Sequence, residues 1–468
     1  MPKINRVKAM NLKTLTAFAY AVLFSNCLPY PVTEQPEPLK MYGQVLLDSK
    51  YSTGWTITRV MAIDTRGVVL GEYVLESNNA DLAWAIPVAG DENTPGTFWV
   101  ELNNDTSGKL YYNEGNDAKF RSGGYYNLTV GENNIPVKSS GDLALIGKTE
   151  RFPLNESYIL LKDLNLSGEW EPIGKSANEP FSGVFNGRDH SISGITLPGD
   201  SVYGYIGLFG YVKGYASTRA GIKNLNLNVS GTELTLSEVS GQSVGILAGE
   251  IENALIEKVN INGPVKGLRI SKPGGGDFYI GGIAGRITGS SSISGSSMLF
   301  SFEAVADSLG SGYIGGIAGY SKQTEGVILL DKCYNTGIVT INNRGQGAYA
   351  GGILGYHENK AGGTETISTI SECYARNEVS ASGSGTGIVA AGGIIGGATP
   401  DGLAGSRSCA LMASVSAYAT LASAGGLSGY YLAGSAGCYQ LDAMEVKPAV
   451  SPAVNAGTIA QSAVTETL

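Results

Sequence analysis

Ile280-Gly281-Gly282-Ile283-Ala284-Gly285 and Ile314-Gly315-Gly316-Ile317-Ala318-Gly319 are one six-residue string met twice, 34 residues apart. Variants stand at Ile206-Gly207-Leu208-Phe209-Gly210, Val244-Gly245-Ile246-Leu247-Ala248-Gly249, Ala350-Gly351-Gly352-Ile353-Leu354-Gly355, Ala391-Gly392-Gly393-Ile394-Ile395-Gly396 and Ala424-Gly425-Gly426-Leu427-Ser428-Gly429. The last glycines fall at 210, 249, 285, 319, 355, 396 and 429, giving intervals of 39, 36, 34, 36, 41 and 33. A period of this size marks a chain that stacks one supersecondary unit on the next.

Inside each period a second pattern recurs: Asn224-Leu225-Asn226-Leu227, Lys258-Val259-Asn260-Ile261, Lys332-Cys333-Tyr334-Asn335, Glu372-Cys373-Tyr374-Ala375 and Gly437-Cys438-Tyr439-Gln440. No helix-period segment lies between the repeats, which disfavours helical solenoids. Three short strands per period make the coil of a parallel β-helix. That coil accounts for the 67 glycines, roughly twice the usual share of about 7%. At a corner the chain must turn sharply, often with φ above zero, and must lie close on the coil below; glycine does both. Seven to eight coils spaced by about 4.8 Å make a rod roughly 35 Å long.

The repeats resemble the GLUG motif of bacterial adhesins and immunoglobulin-A peptidases, with Gly207-Leu208-Phe209-Gly210 close to its namesake. Glu169-Trp170-Glu171-Pro172-Ile173-Gly174 and the stretch Phe181 to Ile195 are similar to the segment that leads into those repeats. The resemblance covers about 150–440, and what it implies is surface display and adhesion.

Upstream, Lys3, Arg6, Lys8 and Lys13 flank the apolar run Leu15 to Phe24, the layout of an export signal. Leu23-Phe24-Ser25-Asn26-Cys27 resembles a bacterial lipoprotein cleavage site, with Cys27 as the lipidated residue. The segment 28–40 reads as a proline-marked tether. From 41 to 137, short apolar runs such as Trp55-Thr56-Ile57-Thr58 and Thr97-Phe98-Trp99-Val100-Glu101-Leu102 alternate with Gly, Asn, Asp and Pro turns. Roughly seven strands in about 100 residues is the sandwich pattern. Its closing Gly123-Gly124-Tyr125-Tyr126-Asn127-Leu128-Thr129-Val130 resembles the last strand of the fimbrillin-like lipoproteins of Bacteroides-type bacteria. The expected fold is all-β: an immunoglobulin-like β-sandwich, then a three-sided parallel β-helix of about seven to eight coils. In domain terms this is a signal peptide (1–27), tether (28–40), sandwich (41–137), lead-in segment (138–198), repeats (199–440) and a terminal cap or tail (441–468).

A net charge of −9 without clustered Lys and Arg argues against nucleic acid as a partner. The two histidines, His190 and His357, cannot make a His-Glu-x-x-His zinc helix, so a metallopeptidase is excluded and no metal is expected. His190 reads as a turn residue and His357 as a coil-edge residue. Gly147-Lys148-Thr149 and Gly174-Lys175-Ser176 imitate a phosphate loop, but each is one residue too far from its first glycine and opens no helix. Gly310-Ser311-Gly312-Tyr313-Ile314-Gly315 matches the dinucleotide fingerprint as a string only, and no cofactor is expected. Of Cys333, Cys373, Cys409 and Cys438, three precede tyrosine and fall at one corner, reading as a stacked buried column or as inter-coil disulfides.

The candidate binding residues are tyrosines. Tyr211, Tyr320, Tyr356 and Tyr430 each follow a repeat's last glycine, and Tyr279, Tyr313 and Tyr349 each open a repeat, so stacking makes two aromatic columns. Such columns either hold a sugar ring or protein partner or serve packing alone. The expected function is a non-catalytic adhesin or fimbria-associated lipoprotein. Its partners would be host or extracellular-matrix glycans or proteins, or other fimbrial subunits, and a lipid anchor would hold it in the outer membrane. The alternatives are a structural or carbohydrate-binding surface module and a polysaccharide-degrading β-helix enzyme, which would need paired carboxylates in a cleft.

Overall fold

The computed structural model describes residues 39–449 apart from 48–54, 65–67, 76–81, 105–107, 114–117, 131–133, 151, 200–202, 216–219, 325, 360–367, 377, 400–402, 407–408, 411–413, 420–421, 426, 430–433, 437–438 and 441–444. The export signal, Cys27, Tyr430 and Cys438 lie outside the described residues. Among the described residues no helix is long and apolar enough to cross a membrane.

The first unit is two sheets around one core. In the smaller sheet Leu39–Leu47 is central, antiparallel to Ala83–Val88 and parallel to Tyr125–Val130. The larger contains Val69–Val74, Thr56–Asp64, Pro95–Asn104 and Gly108–Asn113 in that order, with Ala118–Lys119 paired to Pro95–Asn104. Strict alternation along Ala83–Val88 sends Trp84, Ile86 and Val88 inward. They meet Val60, Phe98 and Val100 of the other sheet. This is a sandwich, but its strand order is not that of an immunoglobulin domain, which places its second and third strands in opposite sheets. Here Thr56–Asp64 and Val69–Val74 pair in one sheet. Four residues separate them, a connection that closes a hairpin and does not cross between sheets.

The outer face of the larger sheet carries Met61, Ile63 and Trp99, which pack on Ile159 and Leu161 of the second unit. That unit starts where Asn134–Val137 pairs in parallel with Ser157–Leu160. A short helix, Ser140–Leu145, follows the first strand. Ser139 Oγ accepts from the Asp142 amide (3.1 Å) and Asp142 Oδ2 accepts from the Lys138 amide (2.9 Å), a reciprocal cap. The helix sends Leu143 into the solenoid core.

From there the chain is a parallel β-solenoid. One period runs through Phe278–Gly281, Ala284–Thr288, Ser292–Ser294, Ser297–Met298 and Phe302–Ala306. Each piece pairs in register with its equivalent one coil on: Ile280 lies on Ile314, Ile287 on Ser321, Ile293 on Leu330, Ala304 on Ile341. Seven strands from Tyr205–Ile206 to Ala422–Gly425 form the stack that opens the glycine string, and these bound six complete turns, fewer than the seven to eight coils expected. The strands also fall into four sheets, not three sides, with Ser292–Ser294 and Ser297–Met298 sharing one of them. The reason is the glycine string itself, which bends at Gly316-Ile317 and gives its two flanks, Gly312–Gly315 and Ala318–Lys322, to different sheets.

The glycines act by close approach. A Cβ on Gly315 would fall 2.0 Å from the Ala318 carbonyl oxygen and 2.7 Å from the Gly355 amide nitrogen of the next coil. Left-handed backbone occurs at another corner, in a column made of Asn224 (φ 51°), Lys258 (52°), Gly295 (55°), Lys332 (50°) and Glu372 (49°). The expectation of positive φ at corner glycines therefore holds in part: Gly241, Gly267, Gly275, Gly289, Gly295 and Gly326 supply it, the described glycines of the repeated string do not, and at this corner four of the five positions carry side chains.

His357 is not at a coil edge. It is fully buried on the inward column of its stack, and its Nδ1 lies 2.8 Å from Ser321 Oγ on the coil before. Cys333 and Cys373 are buried free thiols one above the other, the Cys333 amide donating to Cys373 Sγ at 3.4 Å. The side-chain hydrogen bond between the two thiols, together with burial, pushes the Cys373 thiol well up, against the lowering effect of that amide. Cys409 instead pairs with Tyr374 and stands in the tyrosine register. Cys333 and Cys373 are therefore expected to resist iodoacetamide in the native chain and to label fully, without reductant, once it is unfolded. Peptide mapping by mass spectrometry reads this directly, and labelling that requires reductant would show a bridge. Glu445–Ala449, within the tail, pairs in parallel with Ser414–Tyr418 and adds a seventh strand to its stack.

Candidate functional site

The bend at the glycine string sets two stacks at an angle, and the residues that point away from the core on either side of it face each other. On the opening stack these are Tyr205, Ser243, Tyr279, Tyr313, Tyr349, Ala390 and Ser423, in register. On the following stack they are Tyr211, Glu250, Arg286, Tyr320, Tyr356 and Gly397. Ring contacts close the angle. Tyr279, Tyr313 and Tyr349 stack at 5.4 and 5.1 Å, Tyr320 and Tyr356 at 6.1 Å, and cross-contacts of 4.9 to 5.6 Å join the columns. The two expected columns are one interdigitated seam along a concave corner.

Tyr211, Tyr279 and Tyr320 are 5%, 9% and 7% exposed, yet none belongs to the hydrophobic core. Neighbouring seam residues cover them: Tyr279 and Tyr320 meet each other and Tyr313, and Tyr211 meets Tyr205. Tyr313, Tyr349 and Tyr356 are only half-buried and form the accessible part of the seam.

The phenols are pinned by a device that occurs twice. Tyr211 Oη donates to Glu252 Oε2 (2.6 Å), and Lys213 Nζ reaches the same oxygen at 2.9 Å. Tyr320 donates to Glu358, which Lys322 Nζ holds at 2.7 Å. In both, a Tyr-x-Lys on one coil grips a glutamate one coil on. Burial resists ionisation of Glu358, but hydrogen bonds from Lys322 and Tyr320 outweigh it and hold the carboxyl below its usual range. Burial and the adjacent carboxylates push the Tyr211 and Tyr320 phenols up, so both stay protonated donors.

Between the two devices lies a charged pair that reading the tyrosines alone misses. Glu250 is 1% exposed, and its Oε1 accepts from Arg286 Nη2 (3.1 Å) and Thr288 Oγ1 (3.1 Å). The Arg286 guanidinium lies 5.4 Å from the centre of the Tyr279 ring. Burial raises the Glu250 carboxyl, with Arg286 opposing. The signal was present in the sequence: Glu250 and Arg286 follow the last glycine of their repeats, as Tyr211 and Tyr320 do. Tyr205 was missed too, and it meets Tyr211 edge-on at 4.8 Å.

Fold and seam together define a parallel β-solenoid with an aromatic, charge-pinned groove on one corner. No model of a known protein family matches the chain. Over 252 residues it is 26% identical to halomucin of Haloquadratum walsbyi, a stretch that takes up 53% of this chain and 2% of halomucin. Its structure is similar to that of an IgA1 protease at 15% identity and a TM-score of 0.38, over 87% of this chain and 30% of that one. The chain thus spans a small part of either protein, and the fold assignment stands on its own strand register.

Proposed function

We propose that the chain is a non-catalytic, exported cell-surface protein that binds a glycan or protein of a host or matrix through the tyrosine seam. The supporting observation is the half-buried row Tyr313, Tyr349 and Tyr356, whose rings are fixed by their neighbours before any ligand arrives. A rigid aromatic surface loses little conformational entropy on binding, and its rings suit both sugar C–H faces and protein side chains. The engagement of Glu252 and Glu358 by lysine and tyrosine favours this reading over a glycan-cleaving one, since each carboxylate is already held. Export, lipid anchoring at Cys27 in an outer membrane, and association with fimbrial subunits complete the proposal.

A second reading, a structural module whose tyrosines only weld coils together, draws support from the deep burial of Tyr211, Tyr279 and Tyr320. A screen of the purified chain on glycan arrays and immobilised matrix proteins separates the two. Saturable binding is expected; its absence from every surface favours the structural module, and turnover of an arrayed polysaccharide overturns the proposal.

A further inference from the structure

We propose a second binding site, for a saccharide, in a cavity beside the first coils of the solenoid, where the two turns that imitate phosphate loops come together. Gly147-Lys148 and Gly174-Lys175 both turn on left-handed glycines (φ 81° and 69°), and stacking brings them to one cavity of about 440 Å³. Glu171 stands between them, and Lys148 Nζ and Lys175 Nζ both donate to its carboxylate. Those two bonds hold its carboxyl down at about 2. The three side chains are 44%, 42% and 37% exposed, so solvent reaches them.

Ala144 and Leu154, both partly buried, form the apolar wall, and beside them lies Trp170, 8% exposed and part of the solenoid core. The Trp170 Nε1 donates to the Leu208 carbonyl at 2.9 Å, which fixes the plane of the indole. Glu169 and Glu179 complete the polar lining, so two lysines stand against three glutamates, a balance of −1.

That balance selects the ligand class. A phosphate meets ammonium groups that Glu171 already neutralises, within a site of negative sign. A metal ion finds its central carboxylate taken by two cations. A polyol suits the lining, because each hydroxyl both donates and accepts and can bridge a carboxylate and an ammonium placed side by side. Its C–H face then lies on the apolar wall of Ala144 and Leu154. The volume falls within the range of roughly 300–1,000 Å³ usual for small-molecule sites, enough for one or two sugar rings. No residue of this site belongs to the tyrosine seam, so the proposal stands whether or not the seam binds.

Isothermal titration calorimetry on the full chain tests it, with methyl glucoside, methyl galactoside, N-acetylglucosamine and inorganic phosphate as probes. The variants are Glu171→Gln and Ser167→Trp, the second placing a bulky side chain at the exposed rim where folding is not at risk. At least one saccharide is expected to bind at millimolar concentration or below, with affinity reduced about tenfold or more in each variant. Phosphate is expected not to bind. Failure of all three saccharides up to about 20 mM, binding of phosphate in their place, or saccharide binding kept in both variants would overturn the site. Saccharide binding kept in Glu171→Gln but lost in Tyr349→Ala/Tyr356→Ala would also overturn it and assign the sugar to the seam.

Discussion

Gly315→Val is expected to destabilise the solenoid by about 3 kcal/mol or more, a fall of roughly 10 °C in melting midpoint for a unit of this size. The new side chain would begin 2.0 Å from the Ala318 oxygen, and the atoms it meets are backbone on two coils, which no rotamer change can clear. Each coil contacts only its neighbours, so a break at Gly315 loosens both sides of the stack. Gly204→Ala is the control. A Cβ there has nothing within 4 Å, and the change should stay within about 0.5 kcal/mol. Equal effects of the two substitutions, read by circular-dichroism melting, would contradict close approach as the role of the repeat glycines.

Arg286→Met should have the next largest effect, through Glu250. Removing one member of a buried ion pair costs about 3–5 kcal/mol; Arg286 is 28% exposed, so about 2–3 kcal/mol is expected at pH 7. The pH dependence has a definite sign. Burial raises the folded-state pKa of Glu250, so stability from this group is fully present below the ordinary carboxyl pKa and is lost as pH rises through the raised value. Without Arg286 the carboxyl rises further. The deficit relative to wild type should therefore shrink as pH is lowered from 7 towards 4, and Glu250→Gln in the same chain should recover most of it. A deficit that does not change with pH, or that Glu250→Gln deepens, would show that Arg286 acts by packing on Tyr279 alone.

Much of this architecture can be read directly from the residues. The recurrence of Ile-Gly-Gly-Ile-Ala-Gly gives the period, and the absence of helical spacing gives parallel strands. The positions flanking the glycine string give the seam, because a fixed place in each repeat becomes a column when coils stack in register. Three features escape such reading for physical reasons. The left-handed corner at Lys258, Lys332 and Glu372 carries no glycine signal, since register with neighbouring coils imposes the conformation. His357 Nδ1 and Ser321 Oγ meet inside the core, a pairing that depends on which of two alternating faces each occupies. The cavity joining Lys148, Glu171 and Lys175 arises because stacking brings separate turns together, which string spacing does not encode. The sandwich is legible as a set of strands, whereas its order depends on which neighbours the short connections allow.

The most direct measurement of the central claim is the affinity of the purified chain for a surface ligand found by the array screen, compared with that of Tyr349→Ala/Tyr356→Ala and of Tyr374→Ala. Tyr374 is an exposed tyrosine stacked on Tyr334 in a different sheet, and it serves as the control. Loss of about 2 kcal/mol or more in the double variant, near thirtyfold in dissociation constant, with no change in Tyr374→Ala, is the expected result. Undiminished binding by a folded double variant would contradict the seam as the binding face.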